Sequence, residues 1–227
     1  MKKYELTSET KVINGVELHR IKALKSFGSV EKGELGGWIE SEQYLSQDGN
    51  AWVFDNAEVS GNVIVCDNAT VGGNATVCGN ATVSGNAKVR GNAWVGYNAK
   101  VDRDATVYGN ATVSGNAKVR GNATISGNAI VSGNAKVRGN AKVEGNATVE
   151  GNSKVRGKED FIVFKNWWSS GRYFTWTRSN NKWKVGCFYG SGEELIAKAY
   201  KDSEKSGREY ERVVKYVESI SKDENNK

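Results

Sequence analysis

Proline is absent from these 227 residues, and histidine and methionine occur once each. One histidine cannot supply a His-rich metal site or a row of catalytic imidazoles within one chain, so neither a metal nor a catalytic residue is assigned. Cysteine is scarce and odd in number, at three. No apolar stretch follows Lys2 and Lys3, so the start does not read as a secretory signal. Unpaired cysteines without a signal point to a reducing compartment, a cytoplasm, rather than a disulfide scaffold. No apolar run approaches the ~18 residues of a membrane span, so no membrane partner is expected. Apolar residues reach only 38%, low for a globular core. The net charge of +6 is a mild basic excess that permits an anionic partner without requiring one. No cofactor is expected.

What is present is unevenly distributed. Residues 1–50 carry net charge −1, residues 51–157 carry +4 and residues 158–227 carry +3. The middle segment consists mostly of Gly, Asn, Ala and Val, and the last holds four of the seven tryptophans. Three segments follow: an N-terminal cap (1–50), a repeat (51–157) and a C-terminal domain (158–227).

The repeat has a period of six. From Gly49 the chain reads GNAWVF, DNAEVS, GNVIVC, DNATVG and onward to GNSKVR at Gly151–Arg156, eighteen units without insertion or deletion. A small residue stands at every sixth position from Ala51, with Val63 and Ser153 the exceptions, and an aliphatic stands two residues later. Residues two apart in a strand share a face, so Ala and Val point one way and the residue between them points the other. Gly and Asn tolerate positive φ and end each short strand. One such face cannot bury itself, but three rungs folded into a triangle can. Eighteen rungs then make about six coils, a prism roughly 29 Å long at ~4.8 Å per coil, with Asn stacked at the corners as amide ladders.

The V-x-G-N-A-x pattern resembles the hexapeptide repeat of left-handed parallel β-helices. That resemblance implies the left hand, an exception to the right-handed crossover rule. Gly36-Gly37-Trp38-Ile39, Leu45-Ser46-Gln47 and Gly49 to Val53 resemble the lead-in of YdcK-like and prophage hexapeptide proteins. The stretch Gly186 to Gly190 ahead of Glu193-Glu194-Leu195 resembles the C-terminal domain of phage members. The resemblance implies a mainly β fold of phage or prophage origin and carries no settled activity.

Asn14-Gly15 between β-prone runs predicts a hairpin with strands near 10–13 and 16–22, and with Gly36–Gln47 this hairpin is expected to cap the first coil. An uncapped end would be an open sheet edge. In the C-terminal part, Tyr173–Arg178 and Trp183–Tyr189 read as strands around a Ser179–Lys182 turn. Leu195, Ile196 and Ala199 give one amphipathic helix; Tyr210, Val213, Val214, Val217 and Ile220 give a second. A small β-β-α-α domain is expected, with a polar, frayed tail SKDENNK.

Hexapeptide β-helices are best known as acyltransferases, usually trimeric, and a catalytic base in them is generally a histidine on a coil or loop excursion. Residues 51–157 contain neither a histidine nor a loop, and His19 lies in the hairpin. Cys66 and Cys78 follow core valines and point outward from different faces, without an activating base.

Outward residues eighteen apart stack in columns. On the third face Lys100, Lys118, Lys136 and Lys154 form one column, and Asp102, Arg120, Arg138 and Arg156 form the next. Like charges on neighbouring strands repel, and a polyanion laid along the stripe would relieve them. Copying of one coil would also build this stripe, since GNAKVRG recurs at steps of eighteen. Aromatics interleaved with the basic residues would favour single-stranded nucleic acid, and the stripe has none. From Thr76 the second face carries no charge until Glu150; Trp94, Thr112 and Ile130 make it a candidate subunit interface. The expectation is a non-catalytic, phage-derived binding or scaffold protein, homo-oligomeric with a trimer favoured. It would act in counter-defence on a host immune protein or an anionic nucleotide or nucleic acid. The alternatives are an acyltransferase-like enzyme and a structural filament or virion component.

Overall fold

The computed structural model describes residues 2–225. Its centre is a parallel β-solenoid. Eighteen short strands from Trp52–Val53 to Lys154–Val155 stack into three parallel sheets, the faces of a prism. Each strand pairs in register with the one eighteen residues on: Lys88 with Thr106, Trp94 with Thr112, Lys100 with Lys118. The Ala and Val positions are completely buried along the prism, from Ala51 and Val53 to Ala147 and Val149. Every rung repeats the same inward pair, so the core is one continuous column of methyl groups.

The corners follow from the Gly-Asn pairs. Gly115 has φ 63°, and a Cβ there would stand 2.9 Å from the carbonyl oxygen of Gly133 in the next coil. Asp55 and Asp67 occupy corners at φ 54° and 60°. Their carboxylates accept the N–H groups of Gly73 and Gly85 one coil on. The Asn side chains form the expected ladders, as in Asn62, Asn80, Asn98, Asn116, Asn134 and Asn152, at 3.0–3.3 Å. One ladder is interrupted. Asn86 donates to Asp104 at 2.9 Å, a carboxyl group has no amide N–H to pass on, and the ladder resumes from Asn122 to Asn140 at 3.0 Å.

The solenoid has about seven turns rather than six. The strand β3 (Leu35–Ile39) lies parallel on Glu58–Val59, and Leu45 bridges to Val65. This lead-in turn lacks the repeat's letters but keeps its pairing, with Ile39 opposite Val59. Strands β1 (Tyr4–Ile13) and β2 (Val16–Ala23) form the expected hairpin around Asn14-Gly15, at φ 49° and 80°. Strand β2 pairs antiparallel with β3, so the hairpin extends the second-face sheet to nine strands. Strand β1 starts six residues earlier than expected, because its polar residues from Glu5 to Thr10 hide it from a hydrophobic reading.

The C-terminal domain departs from the β-β-α-α expectation. Phe161–Lys165, Tyr173–Thr177, Lys182–Val185 and Phe188–Gly190 form a four-stranded antiparallel sheet. Gly186, at φ 53°, folds the expected Trp183–Tyr189 strand into two. Helix α1 (Gly192–Asp202) starts at a capping box between Ser191 and Glu194, and helix α2 (Glu204–Asn225) follows. Trp168, Phe174, Trp176, Trp183, Leu195, Tyr210, Val214 and Val217 form a second core. The tail expected to fray begins inside α2, and residues 226–227 lie outside the described residues.

The N–H groups flanking each core valine donate to carbonyls of the following coil, as in Trp52 to Ala69 and Phe54 to Val71, and the core residues complete the parallel ladder toward the preceding coil. Each end of the prism therefore leaves backbone groups for the flanks to pair. At the first end, N–H groups of Trp38, Glu40 and Ser46 reach Ala57, Val59 and Val65. The Lys3 ammonium reaches the Ala51 carbonyl at 2.9 Å. At the last end, side-chain oxygens accept. Thr175 takes the Thr148 N–H at 2.9 Å, Ser179 takes Lys154 at 2.6 Å and Asp160 takes Arg156 at 2.5 Å. Ser153, one exception to the repeat, bonds through its buried hydroxyl to Glu150, Thr177 and Asn180.

Candidate functional site

The third face carries the lysine column. Lys100, Lys118, Lys136 and Lys154 are direct register partners on successive strands. Their spacing is that of neighbouring strands, about 4.8 Å. Among the described residues none of the four has a carboxylate within ion-pair distance. Lys100, Lys136 and Lys154 are exposed and Lys118 is half-buried.

The neighbouring column is less uniform. Arg120 pairs with Asp102 at 3.1 Å, and Arg103 stands 4.0 Å from the same carboxylate. These groups, with Asp67, Ser84 and Gly85, line a hollow of about 320 Å³. Two carboxylates there oppose an incoming anion, so the free positive charge lies beyond it. Arg138 is half-buried and Arg156 exposed, and neither is ion-paired among the described residues. The free cations are thus the four lysines, Arg138 and Arg156, with Arg120 already neutralised.

The second face is uncharged through its middle, but it is not flat. Thr112 sits between Trp94 and Ile130 in register. The Trp94 indole lies along its own rung over Gly96, where a Cβ would come within 2.2 Å of its ring. The Tyr97 ring stands edge-on to it at 5.8 Å. Ile130 is 39% exposed. It lines a hollow of about 460 Å³ with Thr148, Glu150, Arg172, Tyr173 and Lys184, so the C-terminal sheet overhangs this end of the face. The Glu150–Lys184 ion pair, at 2.6 Å, ties prism and sheet together.

Sequence reasoning passed over Tyr97, although its signal was available: a tyrosine stands where the repeat has glycine. Tyr108, at the variable position after Val107, was also passed over; it carries Arg90 over its ring at 5.4 Å on the first face.

The surroundings of Cys66 and Cys78 disfavour the thiolate. Burial pushes the Cys66 thiol up, and the adjacent Asp67 carboxylate pushes it further. Burial alone raises Cys78. His19 lies in β2 across from Thr10 and Ile39. Among the described residues, no group of three His, Cys, Asp or Glu side chains is placed to hold a metal. No helix of these residues is long and apolar enough to cross a membrane.

The rungs at the centre of this geometry match a known repeat. The family model for the YdcK β-solenoid repeat matches residues 105–121. The eighteen rungs are similar to that repeat in fold and in period. An Escherichia coli K12 protein, the uncharacterized acetyltransferase YdcK, is 34% identical over 68 residues, 26% of this chain and 21% of the relative. The chain therefore spans about a fifth of the length of the curated relative it matches. The activity in the relative's name belongs to the whole relative.

Proposed function

We propose that this protein is a non-catalytic binding protein that holds an anionic partner along its third face and self-associates through its second. The observation that carries this reading is the unpaired lysine column, Lys100, Lys118, Lys136 and Lys154, continued by Arg138 and Arg156. The lysines stand on strands about 4.8 Å apart, well inside the Debye length of ~8 Å at physiological salt, so their ammonium groups repel one another. A polyanion turns that repulsion into attraction. The phage origin implied by the flanks fits an accessory protein that counters host defence by sequestering an anionic host molecule or an acidic host protein.

Reversal of Lys118, Arg138, Lys136 and Lys154 to Glu tests the reading. These side chains point outward while Val119 and Val137 stay buried, so the fold survives. Binding of inorganic tripolyphosphate, followed by calorimetry, is expected in the wild type, to weaken as salt rises, and to vanish in the variant. Binding that ignores salt or survives reversal removes the electrostatic account.

A second reading, acetyl transfer, is favoured by the name of the matched relative. It requires a base, and His19 is the sole imidazole in the sequence. On the binding reading, His19→Ala leaves partner binding intact and no acetyl transfer from acetyl-coenzyme A is measurable. Transfer that disappears in a folded His19→Ala variant would reverse the order of the two readings.

A further inference from the structure

The rungs are nearly alike, so the place where one departs most shows what the solenoid itself does not need. That place is Trp94-Val95-Gly96-Tyr97. Its neighbours on the same face read Thr76-Val77-Cys78-Gly79 and Thr112-Val113-Ser114-Gly115. The three changed residues build one feature. Gly96 removes the Cβ that would collide with the indole, so Trp94 lies flat on its rung. Tyr97 stands at φ 57°, where its column neighbours Gly79 and Gly115 have φ 72° and 63°. A bulky side chain in the left-handed region is strained, and Tyr97 is 65% exposed. Burial therefore does not hold it there.

Its ring meets the indole at 71°, and the two form the walls of an open hollow of about 240 Å³. Cys78, Gly79, Asn80 and Asn98 complete the lining, without a charged side chain. Asn80 and Asn98 each donate one amide proton and accept one bond within the corner ladder. Each keeps a second N–H and a second oxygen lone pair for a ligand.

Around the corner the chemistry changes. Three residues after Tyr97, Lys100 opens the third face, in register with Lys118. An aromatic corner with spare amides beside two ammonium groups matches a molecule that is flat and aromatic at one end and anionic at the other. We infer that the edge formed by Trp94, Tyr97, Asn98 and Lys100 binds a nucleotide, its base against the two rings and its phosphate on Lys100 and Lys118. The inference rests on the anion-binding reading of the third face and names the ligand class. Rings stack on any base, and a side-chain amide can donate to and accept from the edge of an adenine. The corners one coil to either side are Gly79 and Gly115, so the solenoid offers one platform. A strand running along the stripe would need a platform at successive levels, and a free nucleotide needs one.

Calorimetry with adenosine 5′-monophosphate, adenosine, ribose 5-phosphate, inorganic tripolyphosphate and a short adenine oligonucleotide tests this. The monophosphate is expected to bind more tightly than either of its halves, and the oligonucleotide no more tightly than the monophosphate. Tyr97→Gly restores the repeat's own residue. It should weaken the monophosphate about tenfold, the scale of one base–aromatic stack, leave tripolyphosphate binding unchanged and raise the melting temperature. Gly96→Ser, which lifts the indole, should act in the same direction on binding. Lys100→Gln with Lys118→Gln should weaken both phosphates and spare adenosine.

Unchanged monophosphate affinity in Tyr97→Gly, with tripolyphosphate still bound, overturns the nucleotide inference and leaves the anion reading standing. If neither phosphate binds, both fall. Much tighter binding of the oligonucleotide replaces the free nucleotide by a strand. A Trp94→Ala variant that loses assembled mass in light scattering but keeps its monophosphate affinity assigns the corner to a contact between copies of this chain.

Discussion

Lys3 shows what a single side chain does at the end of a β-solenoid. Its ammonium is fully buried, donates to the Ala51 carbonyl and lies 5.0 Å from the centre of the Phe27 ring. Burial lowers its pKa to about 8, helped by Lys25 and opposed by Asp48. The sign of the linkage follows. Between pH 8 and 10.5 the unfolded chain holds the proton and the folded chain has released it, so stability rises with pH across that window. The full effect is roughly 3 kcal/mol, from about 1.4 kcal/mol per pKa unit. Denaturant titrations of wild type and Lys3→Met at pH 7, 8, 9 and 10 should show the difference between them moving in favour of the wild type from pH 8 upward. A difference that stays flat would mean that the ammonium keeps its ordinary pKa. The neutral amine still donates to Ala51, so the cap itself is kept throughout.

At the scale of the element, both ends of the prism leave backbone groups that the ladder does not pair, and the flanks pair them. Donors from Lys3 and the lead-in turn meet carbonyls of the first coils. Hydroxyl and carboxylate oxygens of the C-terminal domain meet N–H groups of the last coil. Ser153→Ala is informative because it makes the repeat more regular. It also strips the hydroxyl from its contacts with Thr177 and Asn180. We expect it to destabilise by about 1 kcal/mol, and Thr175→Val, which leaves the Thr148 N–H without an acceptor, by about 1–3 kcal/mol. Equilibrium denaturation measures both. A stabilised Ser153→Ala protein would mean that repeat regularity outweighs the hydrogen bonds to Thr177 and Asn180.

For the whole molecule, charge and apolar surface are segregated onto different faces. The third face carries the lysine column, and the middle of the second carries Thr112 and Ile130 without charge. Self-association through the second face predicts that Ile130→Lys lowers the mass measured by light scattering, because an unpaired ammonium does not enter an interface core. An unchanged mass would move the contact to the C-terminal domain, where Trp167 is 77% exposed. Tyr97→Gly should leave the mass as it is.

Much of the molecule was legible because the repeat is local and identical at every level. A period of six with Ala and Val two apart dictates an inward column, and residues eighteen apart become neighbours as soon as three rungs close a triangle. The lysine column and the Asn ladders follow from that arithmetic, and Asn14-Gly15 located the hairpin. Tertiary structure decided whatever depends on contacts between unlike segments. Trp52 is an outward residue by pattern, yet it is wholly buried beneath Tyr4 and Phe27. The seventh turn is made of residues without the repeat's letters, because strand pairing needs backbone groups and not particular side chains. The sequence placed Asp102 beside Arg120, and the folded chain brings them into an ion pair that subtracts one cation from the stripe. The sequence also contained Tyr97, but its strained backbone and its meeting with a flattened Trp94 arise only once Gly96 lets the indole lie down. Periodicity determined the scaffold and the lysine column because one set of contacts is repeated eighteen times; the aromatic corner at Trp94 and Tyr97 lies where one rung departs from the repeat, and there the outcome depends on packing that no period encodes.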